Sequence, residues 1–284
     1  MDFIRELNEF KIYKGNHTRY EDTYRYKYAL PFEKVEDPVG WTIVFQQYWH
    51  HSFTISIIYF IIMKALQRFM ENRKPFSLRT ALVLWNGALA IFSIIGFIRF
   101  TEDFIQSLYK HGIYRSLCFS CHPNDVAAFW SFLFAISKIV ELGDTLFIVL
   151  RKKPLIFLHY YHHAAVLIYT VHSGAEHAAP GRAFIAMNYF AHSVMYTYYT
   201  FTAYGRRLPK WVSMCVTTIQ TAQMLAGVAV SYIVYRIKTE SNLPCQQSMV
   251  NLYLAFIIYV TFAVLFLQFF YKAYIAKSGK SKTS

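Results

Sequence analysis

The sequence predicts an all-α membrane protein of seven transmembrane helices, and three observations predict it. The 284 residues are 55% hydrophobic and 19% aromatic but only 16% charged, whereas soluble domains carry about a quarter charged residues. Mean hydropathy is +0.25. Apolar windows of the roughly 20 residues that a helix needs to cross a bilayer recur along the chain. Lys and Arg alternate in density between successive connections, as they do in multi-pass proteins.

Residues 1–44 are polar with mixed acids and bases, and read as an N-terminal arm without a cleavable signal peptide. A helical domain follows over 45–271, with spans expected at 45–66, 80–100, 128–149, 155–172, 183–204, 212–235 and 250–271. His50 and His51 interrupt the first, and the fourth is short for a crossing. Residues 272–284 form a basic tail.

The connections after the first, third and fifth spans are the basic ones. They carry Arg68, Arg73, Lys74 and Arg79; Arg151, Lys152 and Lys153; and Arg206, Arg207 and Lys210. These face the cytosol with the tail, which leaves the N-terminus lumenal. The net charge of +13 is thereby a topology signal, which argues against nucleic acid as a partner. The sequon at Asn16 falls on the lumenal side. So do Cys118, Cys121 and Cys245, where a disulfide persists. Cys118–Cys245 is the preferred pairing, and the sequence leaves it open. Lys280 and Lys282 sit near the carboxyl end at the spacing of a cytosolic retrieval signal for the endoplasmic reticulum.

Polar groups inside the spans carry the functional argument, because an ionisable group at membrane depth costs about 2.5–3.5 kcal/mol on insertion scales. The third span holds Lys138, Glu141 and Asp144 in "SKIVELGDTLF", where positions 138, 141 and 145 follow helical spacing with Asp144 at the edge of the same face. A structural ion-pair network is the plain alternative there. The fourth span carries His159, His162 and His163 at i, i+3 and i+4, one stripe of three imidazoles. The fifth aligns Asn188, His192, Tyr196 and Tyr199, and the sixth repeats Thr217, Gln220 and Gln223; packing and interhelical hydrogen bonding compete with chemistry in both. With a rise of about 1.5 Å per residue, all four spans place these groups in the same cytosolic half. Scattered core hydrogen bonds do not predict that, and a polar chamber open to the cytosol does.

Four motifs now stand in order, one per span: KxxExxDT at Lys138–Thr145, HxxHH at His159–His163, HxxMYxYY at His192–Tyr199 and TxxQxxQ at Thr217–Gln223. Together they resemble the ELO family of very-long-chain fatty-acid elongases (3-oxoacyl-CoA synthases) over essentially the whole membrane region. The resemblance implies six of the seven helices around a closed-ended acyl tunnel in the endoplasmic-reticulum membrane. It implies condensation of a long-chain acyl-CoA with malonyl-CoA to a 3-oxoacyl-CoA two carbons longer, carbon dioxide and coenzyme A. No bound cofactor or metal is expected. The ketoreductase, dehydratase and enoyl reductase of the cycle are expected partners in the membrane, and a homodimer is compatible.

Within that frame the cysteines are poorly placed for a nucleophile, which leaves an imidazole. His162 is expected to carry the acyl group, with His192 and Asn188 at the developing enolate and His159 and His163 tuning the cluster. Lys138, Glu141, Asp144, Tyr196, Tyr199, Gln220 and Gln223 support it. Arg151, Lys152, Lys153, Arg206, Arg207 and Lys210 are expected at the coenzyme A phosphates. The tyrosine pair in HYYHH resembles the elongases of saturated and monounsaturated chains. Two other readings compete with this one. A histidine-box metal-dependent desaturase or hydroxylase holds two irons with more imidazoles than one box plus His192, since His172 and His177 lie far along the helix, but four histidines still suffice for a mononuclear site. A seven-helix receptor or transporter suits the lumenal N-terminus but not a cytosolic polar cluster.

Overall fold

The computed structural model describes residues 2–10, 24–241 and 243–276, and among the described residues all regular structure is helical, with no strand. The sequon at Asn16 and the tail lysines Lys280 and Lys282 lie outside the described residues. The helices are α1 (Asp2–Asn8), α2 (Pro38–Tyr48), α3 (His51–Met70), α4 (Arg79–Cys118), α5 (Val126–Val140), α6 (Gly143–Leu150), α7 (Phe157–Glu176), α8 (Gly181–Ala203), α9 (Lys210–Glu240) and α10 (Met249–Phe270). A 3₁₀ turn at Pro31–Glu33 precedes α2, and a π turn at Tyr271–Ile275 extends α10.

Four of these helices are long and apolar enough to cross a membrane: α3, α4, α9 and α10 with its π extension. The remaining expected spans fall short for two reasons. The third is broken into α5 and α6, while α7 and α8 are diluted by the histidines, Asn188 and tyrosines that made them interesting. Boundaries also differ from expectation. The first span begins at His51 after a break at Trp49–His50, so the interrupting histidines mark a helix start and α2 is a separate element. The second runs on to Cys118 through a kink at Gly112, whose φ of 71° favours glycine. Lys110 and Arg115, expected in a connection, are therefore helical.

Polar side chains and glycines set the helix ends and contacts. Asp37, Asp125 and Ser248 cap α2, α5 and α10 by accepting from the amides of Gly40, Val126 and Asn251. His177, at φ 55°, ends α7. Packing runs from α5 to α4, α8, α9, α10 and α7, and back to α5, with α3 lying outside against α6 and α7. Two glycines permit the closest approaches. At Gly96 of α4 a methyl group would come within 2.5 Å of the Tyr189 ring of α8, and at Gly227 of α9 it would overlap the Tyr259 ring of α10. Both tyrosines are buried. Gly227→Ala is expected to destabilise the protein by about 1–3 kcal/mol through overpacking, read as a lower unfolding temperature in detergent.

The arm is more firmly attached than its composition suggests. The Glu33 carboxylate accepts from Arg99 Nε (2.8 Å), Trp130 Nε1 (2.8 Å) and the Leu30 amide (3.0 Å), joining the arm to α4 and α5. Burial pushes this carboxyl up, but hydrogen bonds from Arg99, Trp130 and Leu30 outweigh burial and hold its pKa at about 2 against an ordinary 4.5. A further buried ion pair, Asp103 to Arg182 at 3.1 Å, joins α4 to α8. Extension of α4 past residue 100 adds Glu102 and Asp103 to a helix whose expected span, 80–100, contained no acid.

A depressed carboxylate pKa contributes stability that is present above pH 4.5 and lost as pH falls towards 2. Glu33→Gln is expected to lower the unfolding temperature at neutral pH and to shrink the loss between pH 4.5 and 2. Parallel pH series of thermal unfolding for the two proteins check it.

Candidate active site

The site begins at the junction of α5 and α6. There the backbone tightens into i→i−3 hydrogen bonds: the Leu142 amide donates to Ile139, Asp144 to Glu141 and Thr145 to Leu142. This turn breaks the single helical face expected for Lys138, Glu141, Asp144 and Thr145. Their side chains go to three different places.

Lys138 and Glu141 go to α8. Lys138 Nζ donates to Glu141 Oε1 at 2.7 Å and to Asn188 Oδ1 at 2.9 Å. The Ser137 hydroxyl donates to Glu141 Oε1 at 3.0 Å, and His192 Nδ1 lies 3.6 Å from the same oxygen. Lys138, Glu141, Asn188 and His192 are all buried. Neither ion of such a pair is tolerable alone, so the pair acts as one neutral unit that fixes Asn188 and His192. Asp144 instead accepts from Trp85 Nε1 of α4 and from the Tyr196 hydroxyl of α8, both at 2.7 Å. Gly143 leaves room for the Trp85 ring, which a methyl group would meet at 2.7 Å. Thr145 Oγ1 turns to His159 Nε2 at 2.9 Å and to the Tyr59 hydroxyl at 2.6 Å.

The α7 histidines stand against this junction. The His159 and His163 rings are 4.4 Å apart between centroids, His162 and His163 are perpendicular at 5.5 Å, and His162 packs on Phe262 of α10 at 4.8 Å. His162, Asn188, Gln223 and Met224 line two cavities at once. One, of about 190 Å³, is largely apolar and runs past Phe134, Tyr169, Phe184 and Tyr259 towards Trp41 and Phe45 of α2. The other, of about 420 Å³, is lined by Asp144, Arg151, Lys153, His159, His163, His192, Tyr196, Tyr199 and Gln220. A largely apolar cavity and one into which most of the site's polar side chains point thus meet at His162, Asn188, Gln223 and Met224.

The structure gathers the catalytic candidates and separates several of the others. Gln220 Nε2 donates to Met195 Sδ at 3.0 Å, and Thr217 donates to the Ser213 carbonyl at 3.0 Å, a structural role. Arg151 and Lys153 line the larger cavity, but Lys152 does not. Its ammonium donates to the Glu71 and Arg73 carbonyls, both at 3.0 Å, tying the α6–α7 turn to the end of α3. Arg206 and Arg207, on the loop before α9, and Lys210, at the start of α9, are exposed and lie outside the cavity lining. Cys118 and Cys245 are disulfide-bonded, while Cys121 and Cys215 are free thiols. Of the tyrosine pair, Tyr160 packs near Phe60 of α3 and Tyr161 stacks on Phe157 at 5.2 Å. Among the described residues no group of three His, Cys, Asp or Glu side chains is arranged to hold a metal ion. Sequence reasoning missed Trp85 and Tyr59, since a tryptophan or tyrosine in an apolar span reads as packing.

The chain matches the model of the ELO family, described as the GNS1/SUR4 family, over residues 44–282, and it belongs to that family. It is 67% identical to "Putative fatty acid elongase 4" of Caenorhabditis elegans over 283 residues, covering 100% of this chain and 97% of that one. It is 44% identical to very long chain fatty acid elongase 6 of Drosophila melanogaster over 81% of this chain and 74% of that one. Human very long chain fatty acid elongase 3 is 40% identical over 84% of this chain and 88% of its own length.

The Lys138–Glu141 pair yields a direct test. Glu141→Leu leaves Lys138 charged and buried, and is expected to cost about 3–5 kcal/mol. Lys138→Met combined with Glu141→Leu is expected to cost less than Glu141→Leu alone, because no charge is then stranded. Denaturation of the purified variants measures both.

Proposed function

We propose that acyl transfer in this protein proceeds through His162, and the observation that carries the reading is its position lining both the apolar cavity and the larger one that holds the other histidines. The chain is a condensing enzyme of fatty-acid elongation, as its family and relatives support. The desaturase and receptor readings give way to it. Its substrates are a long-chain acyl-CoA and malonyl-CoA, and the apolar cavity suits an acyl chain whose thioester sits at His162.

In the first half-reaction a His162 ring nitrogen bonds to the thioester carbon and the C–S bond breaks. Coenzyme A leaves with the proton the imidazole gives up. In the second, malonyl-CoA loses carbon dioxide and its C2 enolate attacks the acyl carbon. The C–N bond breaks, its electrons return to the imidazole, and a proton taken up from water restores the neutral ring. His192 and Asn188, held by the Lys138–Glu141 pair, are placed to steady the developing enolate. Arg151 and Lys153 are positioned for the anionic groups of coenzyme A. The reading extends to seven crossings with a lumenal N-terminus, a tunnel formed by the ring α4, α5, α7, α10, α9 and α8, residence in the endoplasmic reticulum and preference for saturated or monounsaturated chains. The ketoreductase, dehydratase and enoyl reductase of the cycle remain its proposed partners.

Purified wild-type protein given acyl-CoA alone is expected to release coenzyme A and acquire a covalent acyl label at His162. His162→Ala is expected to lose both, with elongation reduced at least roughly 10²-fold, in the range of a lost catalytic group. Undiminished coenzyme A release by the variant would remove His162 from this role.

A further inference from the structure

We infer that Tyr59 of α3, acting through Thr145, is a positioning residue that fixes the tautomer of His159 and withdraws its Nε2 atom from acyl transfer. The inference rests on the acyl-histidine reading above and explains why His159 is not the acyl carrier. Tyr59 belongs to none of the four motifs and sits on the helix that lies outside the ring.

The geometry is a short chain of hydroxyls. On α3, Ile57, Ile58, Phe60, Ile61 and Ile62 are exposed, whereas Tyr59 is only 5% exposed. Its ring packs with Met63, Met70 and Val149, whose side chains offer at most a weak thioether acceptor. Among the described residues its hydroxyl has one hydrogen-bond partner, Thr145 Oγ1 at 2.6 Å. Thr145 is 0% exposed, and its oxygen also meets His159 Nε2 at 2.9 Å.

Counting protons sets the direction. Thr145 has one hydroxyl proton and two neighbours. If His159 donated to Thr145, Thr145 would donate to Tyr59, and the buried phenolic proton would have no acceptor. That arrangement is unfavourable, because a buried donor left unpaired forfeits its solvation without replacement. If Tyr59 donates to Thr145 and Thr145 donates to His159, every hydroxyl proton is used. His159 Nε2 is then an acceptor, and neutral His159 carries its proton on Nδ1. The Nε2 lone pair is occupied by Thr145 and is not free to attack a thioester. His162 has no such partner among the described residues, and it lines both cavities. The His159 ring, held from behind, supports His163 at 4.4 Å, and His163 in turn stands perpendicular to His162.

A positioning role moves the turnover number and leaves substrate binding alone. Tyr59→Phe is expected to lower kcat roughly tenfold, the rate equivalent of about one hydrogen bond, with KM for acyl-CoA and malonyl-CoA unchanged. Coenzyme A release from acyl-CoA alone falls in parallel. Thr145→Ser, which keeps the hydroxyl, retains activity, and Thr145→Val loses it. Adding Tyr59→Phe to Thr145→Val costs nothing more, because the link is already cut. The unfolding temperature of each variant is measured alongside. If Tyr59→Phe does not yield folded protein, the contrast of Thr145→Ser with Thr145→Val carries the test. Wild-type kcat in Tyr59→Phe, multiplicative losses in the double variant, or equal activity of Thr145→Ser and Thr145→Val would overturn the inference. Wild-type protein that releases no coenzyme A from acyl-CoA alone would instead overturn the acyl-histidine reading beneath it.

Discussion

A lysine and a glutamate held 2.7 Å apart inside an apolar helical protein are tolerable only as a pair, and the site is organised around that constraint. The pair needs further partners for its remaining donors and acceptors, and it finds them in Ser137, Asn188 and, at longer range, His192. Satisfying the charges therefore also locks α5 to α8 at one depth and rotation. Because Glu141 sits where the backbone tightens, the residues after it are redirected to α4, α8, α7 and α3. One junction thus touches four other helices, which is why its polar groups converge.

Chemistry and membrane residence pull these helices in opposite directions. The segments that carry histidines, the ion pair and the tyrosine stripe are the ones that fall short as apolar spans, while α3, α4, α9 and α10 remain apolar enough to cross by composition. The polar segments are accommodated by enclosure. The closest approaches, at Gly96 and Gly227, bring large buried tyrosines against neighbouring backbones and leave little space for lipid or water at those two crossings.

Much of this was legible in the residues. The all-helical class followed from apolar windows, and the gathering of Lys138, the α7 histidines, Asn188 and His192 followed from helical period combined with depth. What period cannot show is a change of period. The 3₁₀ turn after Glu141 moves Asp144 and Thr145 to different faces, and nothing in "VELGDT" distinguishes that turn from continuous helix except Gly143, whose reason is a tryptophan 58 positions earlier in the chain. Charge type was equally incomplete as a guide. Lys152 and Lys153 are adjacent and identical, yet one serves two carbonyls and the other lines the cavity. The anchoring of the arm through Glu33 was hidden because its partners, Arg99 and Trp130, come from distant helices.

The Cys118–Cys245 bond joins the end of α4 to the loop before α10, a separation of 127 residues. Helices α5 to α9, and with them every recognised motif, lie inside that covalent ring. A single break anywhere in the enclosed backbone leaves one connected molecule whose cut ends are still held by the helices on either side. The catalytic segment is consequently joined to the rest of the protein through two independent paths, one along the chain and one through sulfur. Only a reductant together with a cut would let it come apart.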